Sequence, residues 1–435
     1  MEKKQVKVGL MGLGTVGTGV LRILEGHQSD LFKQTGLEIV VEKILVQDTS
    51  KERNIRINPE WLTTDPYAVL RNPNIDIIIE VMGRTHPTKE YILEALENGK
   101  HVVTANKDLV AMHGAEILSK AEEKGCDVFY EASVGGGIPI LRALVEGLSS
   151  DRIHKMMGIV NGTTNYILTK MSKEGAPYEK VLKEAQELGY AEADPTSDVE
   201  GLDAARKMAI LSTLGFHVNY HLADVQVRGI SKVTAEDIHY GKKLGYEIKL
   251  LGIAQNDDGC IEVSVQPTMI HHTHPLASVN GVFNAVYVYG EAVGETMFYG
   301  PGAGELPTAT AITSDLVTVV KNMKLGVNGR GMVAPYRETI LKTSEQIESK
   351  FFLRLIVSDQ RGVLAEITSL LANSDISIEQ IMQQPCGDAT KQAEIIIITH
   401  MATKANMEKL LRDFSHLKSI NEVKSLYRVE GGEEK

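Results

Sequence analysis

The stretch VKVGLMGLGTVG, Val6–Gly17, decides how the first part of the chain folds. Val6 to Met11 is a short apolar run, and GLGTVG, Gly12 to Gly17, follows at once. An amphipathic segment, Val16 to Leu24, comes next. Strand, glycine turn and helix in that order are the setting a dinucleotide fingerprint needs. Gly12 permits the tight turn, Gly14 lets the backbone approach a pyrophosphate, and Gly17 lets the helix pack close on the strand. Leu13, Thr15 and Val16 complete the turn, whose helix N-terminus faces the phosphates. A ligand-free glycine turn is the bland alternative, and the clean strand before it argues against that.

Working outward, strands and helices alternate. Leu37 to Val46 reads as the second strand, which should end near the residue that reads the adenine ribose. Asp48 there suits a free 2′-hydroxyl, whereas Lys51 and Arg53 suit a 2′-phosphate; the balance favours NADP, with NAD as the alternative. The gap from Gly17 to Asp48 exceeds the usual spacing of about 20 residues. Asp76 to Val81 is almost continuously apolar, as a buried parallel strand is. Thr88 to Asn98 is a helix closed by Gly99. His101 to Ala105 is a strand with Lys107 just past its carboxyl end, where open α/β sheets bind ligands. Asp108 to Lys124 is a helix and Asp127 to Ala132 a strand. Gly135-Gly136-Gly137 follows. A plain hinge explains three glycines; a backbone-carbonyl cation site with Glu131 nearby is the functional alternative.

The alternation then changes. Arg152 to Val160 reads as a strand, and Asn161-Gly162 as a turn, with Thr163 or Thr164 capping a helix to Met171. A helix from Pro177 to Leu188 leads into GYAEADPTSDVEGLDAARK, Gly189–Lys207. Ser197 and Glu200 fit a capping box opening a helix to Leu214. Turned at about 100° per residue, that helix gathers Val199, Leu202, Ala209, Ile210 and Leu214 on one side. Asp203 falls on the same face, with Lys207 at its edge. A charge in an apolar stripe is costly unless paired or serving a ligand. A buried ion pair and a proton-transfer site are both open here. A partly desolvated lysine beside a carboxylate is a candidate acid/base. Glu192, Asp194 and Asp198 suit an ammonium group or the orientation of a lysine.

The totals narrow the class. A chain of 435 residues holds two or three domains, and 43% hydrophobic with 24% charged residues is ordinary for a globular protein. A net charge of −11 argues against a nucleic-acid partner. Cys126, Cys260 and Cys386 lie far apart, which fits a reducing compartment and excludes a cysteine zinc site. Neither a signal-like run nor a stretch of about 18 apolar residues occurs, so a cytoplasmic protein without a membrane partner is expected.

The glycine turn, TANK at 104–107, NGTTNYIL at 161–168 and the acidic stretch together closely resemble homoserine dehydrogenases, over about residues 5–330. The resemblance implies reversible NAD(P)H-dependent reduction of L-aspartate 4-semialdehyde to L-homoserine. It implies Lys207 as the acid/base with Asp203 as its partner, although Lys107 could also move the proton. Lys107, Glu192 and Asp198 would bind or orient substrate and lysine, with Gly162 and Thr163 beside them. Thr104, Ala105, Lys107 and Gly302 would join the glycine turn against the cofactor. A sodium site would form from Glu131, Val134, Gly136 and Ile138. No kinase-like segment precedes residue 1, so a fused aspartokinase is not expected.

Glu262 to Val288 alternates and suggests sheet. His271-His272-Thr273-His274 has no carboxylate or cysteine partner in sequence and is read as structural. Gly300 to Glu305 starts a helix to Lys324. Residues 351–435 read βαββαβ, and DQRGVLAEI at 359–367 resembles the ACT domain, a small-molecule regulatory module. An oligomerisation module is the alternative. The expected architecture is α/β: a Rossmann domain at 1–136 completed by helix 305–325, an α+β substrate and dimerisation domain with an open sheet at 137–304, a linker at 326–350, and a ferredoxin-like ACT domain at 351–435. The expected partners are the small substrate, an amino-acid effector such as threonine, and further copies in a homodimer or homotetramer. The competing reading is a non-catalytic amino-acid-binding regulator on a Rossmann scaffold.

Overall fold

The computed structural model describes residues 5–329, 335–386 and 391–432. The chain divides into two compact units. One takes Met1–His154, Arg206–Val225 and Phe283–Glu338; the other takes Lys155–Ala205, Gln226–Val282 and Thr339–Lys435.

The first unit is built on a parallel six-stranded sheet. Its strands are β1 (Gln5–Met11), β2 (Glu38–Leu45), β3 (Leu62–Thr63), β4 (Ile77–Glu80), β5 (His101–Thr104) and β6 (Val128–Phe129), in the spatial order β3-β2-β1-β4-β5-β6. Every residue of β4 is buried, which is why its sequence is IIIE without alternation. Register sets Met11 opposite Leu45 on one side and Glu80 on the other, and Glu80 opposite Thr104. The carboxyl ends of four strands therefore share one edge. The returning helix Glu305–Leu325 packs on Thr15–Gly26, so close that a Cβ at Gly19 would lie 2.6 Å from the Glu305 carbonyl. Ala309, Ile312, Leu316 and Val320 complete the core beneath β1 and β2. An antiparallel hairpin, Phe283–Gly290 with Gly294–Pro301, belongs to this unit.

The expected strand Asp127–Ala132 stops at Phe129 and passes into one 3-10 turn, Glu131–Ser133. The reason is local: the Glu131 N–H donates to the buried Asp315 carboxylate at 2.9 Å instead of to a neighbouring strand.

In the second unit residues 155–158 of the strand Ile153–Ile159 pair antiparallel with Tyr246–Asp257, which pairs antiparallel with Cys260–His271. That strand pairs in parallel with Ile420–Glu430, Thr268 facing Arg428. The sheet continues through Glu348–Ser358, Gln392–Thr399 and Ile378–Pro385, joined by antiparallel pairing. With helices Val363–Asn373 and Lys404–Phe414, these four strands form the C-terminal βαββαβ, whose core includes Phe352's neighbours Phe351 and Leu353, with Ile367, Leu371, Leu410 and Phe414. The strand Tyr246–Asp257 was not foreseen; apart from Glu247 and the last three residues it is buried throughout, so it shows no alternation to read. Within the expected linker, residues 330–334 lie outside the described residues, while Ile340–Leu341 pairs with Cys260–Ile261. Among the described residues no helix is long and apolar enough to cross a membrane.

Candidate active site

The glycine turn meets the geometry its spacing demands. Gly12 has φ +105, and a Cβ there would lie 2.8 Å from the Val81 carbonyl. A Cβ at Gly17 would lie 2.3 Å from the Gly12 carbonyl, so the helix closes on the turn only with glycine. Gly14, by contrast, has open space around its missing side chain and leads directly into helix Thr15–Gly26. Two glycines are needed by the protein's own backbone, and the third leaves room for a ligand at a helix N-terminus. That arrangement fits a dinucleotide pyrophosphate.

After β2, Asp48 turns inward on its own loop. Its Oδ1 accepts from the Ser50 N–H at 2.8 Å and the Ser50 hydroxyl at 2.7 Å. Those bonds hold its carboxyl below the usual range. Arg53 donates to the carbonyls of Lys51 and Asp48, both at 2.7 Å, which fixes its guanidinium on the same loop. After β5, Asn106 caps helix Lys107–Lys124, its Oδ1 accepting from the Leu109 N–H at 3.1 Å. Lys107 is that helix's first residue. Arg206 pairs with Asp108, so the turn that carries Lys207 is tied to the turn that carries Lys107.

On the acidic side the hub is Asn161. Its Nδ2 donates to Asp198 Oδ1 at 2.7 Å and to Asp203 Oδ2 at 2.9 Å. Its Oδ1 accepts from the Thr164 N–H at 2.9 Å and so caps helix Gly162–Glu174. Neither Thr163 nor Thr164 is the cap, contrary to expectation. Thr163 instead donates to the Tyr190 carbonyl at 2.6 Å and steadies the start of the loop that carries the exposed Glu192. Gly162 is pressed against the chain, with a Cβ there 2.8 Å from the Val282 carbonyl.

The expected capping box at Ser197 and Glu200 is also corrected. Thr196–Val199 is a separate short helix, Gly201 breaks the chain at φ +80, and a new helix runs Leu202–Phe216. A left-handed residue cannot continue a right-handed helix. Asp194, not Ser197, serves the short helix, accepting from the Thr196 N–H at 3.1 Å and its hydroxyl at 2.6 Å. The break shifts the helical face, which leaves Leu202 at 41% exposed, whereas Asp203 is buried at 6%. Asp203 and Lys207 are four residues apart on one helix and lie on the same side of it.

A second lysine supports this side. Lys249 is 2% exposed and donates to the Val279 carbonyl at 2.6 Å, with Asn165 Oδ1 at 3.4 Å and Asn280 Oδ1 at 3.3 Å. It links helix Gly162–Glu174 to the loop beside Gly162. Burial lowers its pKa from 10.5 to about 8. The fold thus favours the neutral amine, a contribution present above pH 10.5 and lost as pH falls through about 8. We expect thermal stability to climb from pH 7 to pH 10 by up to about 3 kcal/mol through this group. Lys249→Met should flatten that slope in calorimetry; an unchanged slope would place its origin elsewhere.

Glu131 is buried, and its two oxygens accept from the Leu141 and Arg142 N–H groups at 2.8 and 2.7 Å. Burial raises its pKa, the N–H bonds opposing. Asp315 beside it, paired with Arg142 at 2.9 Å, is raised by burial to about 7. Gly136 (φ +56) packs against Gly302, whose carbonyl would be 2.4 Å from a Gly136 Cβ. A hard carboxylate oxygen beside the backbone carbonyls of a glycine-rich turn is donor chemistry that a hard cation accepts, and each Glu131 oxygen keeps a further lone pair. In the histidine run, Nδ1 of His271, His272 and His274 engage Thr273, the Gly245 carbonyl and the Leu276 N–H. Among the described residues no group of three or more His, Cys, Asp or Glu could hold a metal.

Sequence reading missed Asn161, Arg206 and Lys249. Asn161 had a signal, an Asn one residue before a helix, which is a preferred N-cap. The contacts of the other two are long-range and leave no local pattern.

Three family models match the chain: homoserine dehydrogenase over residues 139–317, the homoserine dehydrogenase NAD binding domain over 12–131, and the ACT domain over 351–415. A homoserine dehydrogenase of Bacillus subtilis (strain 168) is 57% identical over 428 residues, 98% of this chain and 99% of that one. A homoserine dehydrogenase structure from Thiobacillus denitrificans superposes with a TM-score of 0.92 at 41% identity, covering 98% of this chain and 99% of that one. A hyperthermophilic archaeal homoserine dehydrogenase in complex with NADPH matches with a TM-score of 0.61 at 25% identity, covering 72% of this chain and 97% of that one.

Proposed function

This chain belongs to the homoserine dehydrogenase family, and from that premise we propose that it reduces L-aspartate 4-semialdehyde to L-homoserine, reversibly, with NADP as its preferred cofactor and Lys207 as the acid/base. The observation that carries the residue roles is the Asn161 amide holding both Asp198 and Asp203, the latter one helical turn before Lys207. When bound, the nicotinamide supplies the hydride. The chain's own residues do the rest. The Lys207 ammonium stabilises charge developing on the carbonyl oxygen and gives it a proton. Asp203 holds the ammonium in place, with Asp198 alongside. Glu192, exposed on its loop, takes the substrate ammonium, and Gly162 and Thr163 shape the floor beside it. Lys107 serves the substrate carboxylate and the cofactor's nicotinamide end. Gly12 to Gly17, Thr104, Ala105 and Gly302 take the rest of the cofactor.

The preference for NADP follows from the loop after β2. Asp48 Oδ1 accepts both bonds from Ser50, and Lys51 and the pinned Arg53 beside it offer cations to a 2′-phosphate. The NADPH complex of the archaeal relative agrees. Lys51→Ala with Arg53→Ala should raise the KM for NADP by about tenfold or more, as loss of two charge-assisted contacts implies, and leave the KM for NAD within about twofold. Equal effects on both cofactors would remove this loop as the selector.

Sodium fits at Glu131 with the carbonyls of Val134, Gly136 and Ile138, where it would offset the buried charge of Glu131. An amino acid such as threonine fits the edge of the ACT domain at Asp359 to Gly362, whose Gly362 (φ +95) starts helix Val363–Asn373. A homodimer or homotetramer suits the exposed hairpin, where Phe283 and Tyr299 stack at 5.2 Å. Three cysteines spread far along the sequence, Cys126, Cys260 and Cys386, suit the cytoplasm. Initial rates with NAD and NADP, in sodium and in potassium buffer, with and without L-threonine, test these together. A lower KM for NADP, faster rates in sodium and a threonine effect are expected; indifference to any one variable removes that element.

A further inference from the structure

Glu80 ends β4 and has no exposed surface. An isolated carboxylate there is strongly disfavoured unless its lone pairs are filled. Here they are filled by neutral donors from two loops at the carboxyl edge of the sheet. Thr104 Oγ1 donates to Glu80 Oε2 at 2.6 Å, and the Met82 N–H donates to Oε1 at 2.7 Å. Burial pushes the Glu80 pKa up, and bonds from Thr104, Met82, Gly83 and Asn106 oppose the rise.

The network runs on. The Asn106 N–H donates to Thr104 Oγ1 at 3.0 Å, and Asn106 Nδ2 donates to the Arg84 carbonyl at 2.7 Å. Arg84 has φ +62, a costly conformation for a side chain of its size, and this bond helps to hold it. The Asn106 Oδ1 caps the helix whose first residue is Lys107. The residue after Glu80 supplies the carbonyl that presses on Gly12. One buried side chain thus ties the loop at 82–84 to the start of the Lys107 helix, next to the residue that packs on the glycine turn. A carboxylate suits the position because it accepts at both oxygens, and the groups that meet it are donors.

We propose that Glu80 is a positioning residue for the reaction, setting Lys107 through Thr104 and Asn106. The inference rests on the reading that Lys107 touches substrate or cofactor. Glu80→Gln keeps shape but turns an amide N–H2 toward one donor. Thr104→Val removes the hydroxyl that links the two loops. Each should lower kcat/KM for homoserine about tenfold, per mole of folded enzyme. The double variant should lose little more than the worse single variant, because both cut one network. Glu80→Ala should lose more than Glu80→Gln, and the Gln variant should keep the wild-type melting temperature more closely.

Wild-type kcat/KM in both Glu80→Gln and Thr104→Val would overturn the proposal, as would a loss explained wholly by unfolded protein. Lys107→Ala separates the two levels. If Lys107→Ala is impaired and the other two are not, the positioning role alone fails. If Lys107→Ala has wild-type kcat/KM, the reading of Lys107 fails and the proposal with it.

Discussion

Lys207→Ala lowers kcat by about 10²–10⁴-fold, the range lost with a general acid–base group, and leaves NADP binding within roughly threefold. The expectation follows from where the lysine sits. Its helix is anchored through Arg206 to Asp108 and through Asp203 to Asn161, so removing the ammonium leaves the backbone and its neighbours in place. Cofactor contacts are expected at the carboxyl edge of the parallel sheet, which this substitution does not touch. Lys207→Arg sharpens the point. Arginine keeps the charge but holds its proton at neutral pH, so it preserves electrostatic stabilisation and loses transfer. If proton transfer is the role, the Arg variant stays within about tenfold of the Ala variant. Near-wild-type turnover in Lys207→Ala would move the acid/base role to Lys107.

Asn161→Ala has the next largest effect, and it acts on stability and rate together. Asn161 is buried and serves four partners: Asp198, Asp203, the Thr164 N–H and the Thr164 hydroxyl. Losing the cap costs about 0.5–2 kcal/mol. Leaving a buried carboxylate without its donor costs about 1–3 kcal/mol more. Asp198 and Asp203 also lose the amide between them, so the lysine one turn after Asp203 is held less well. We expect kcat to fall by about 10²-fold, or roughly 2.7 kcal/mol. Asn161→Asp separates the two functions. Aspartate caps a helix as well as asparagine does, but it brings a third negative charge and no donor. It should keep the cap contribution and lose at least as much rate. Calorimetry and steady-state kinetics on both variants decide this. Wild-type kcat in Asn161→Asp would reduce Asn161 to a cap.

What could be read from sequence divides along physical lines. The backbone demands on Gly12 and Gly17 are local, and each is met in the structure by a close approach that only glycine allows. The buried strand IIIE and the C-terminal βαββαβ pattern were legible because apolar runs and periodicities span whole elements. Burial of Asp203 was legible from helix phase, yet the same wheel misplaced Leu202, and the capping-box reading misplaced Ser197, because Gly201 restarts the helix. Tyr246–Asp257 was not legible, since a strand buried on both faces has no alternation. Asn161 meets partners 37 and 42 residues downstream, and Glu80 meets Thr104 24 residues away. Such contacts are made by the fold, so no local spacing announces them.

The most direct measurement is absorbance at 340 nm after mixing the full chain with L-homoserine and NADP or NAD. A steady rise with NADP, dependent on homoserine and nearly abolished in Lys207→Ala, is the expected result. No nicotinamide reduction with either cofactor would contradict the account and favour an amino-acid-binding regulator on a Rossmann scaffold.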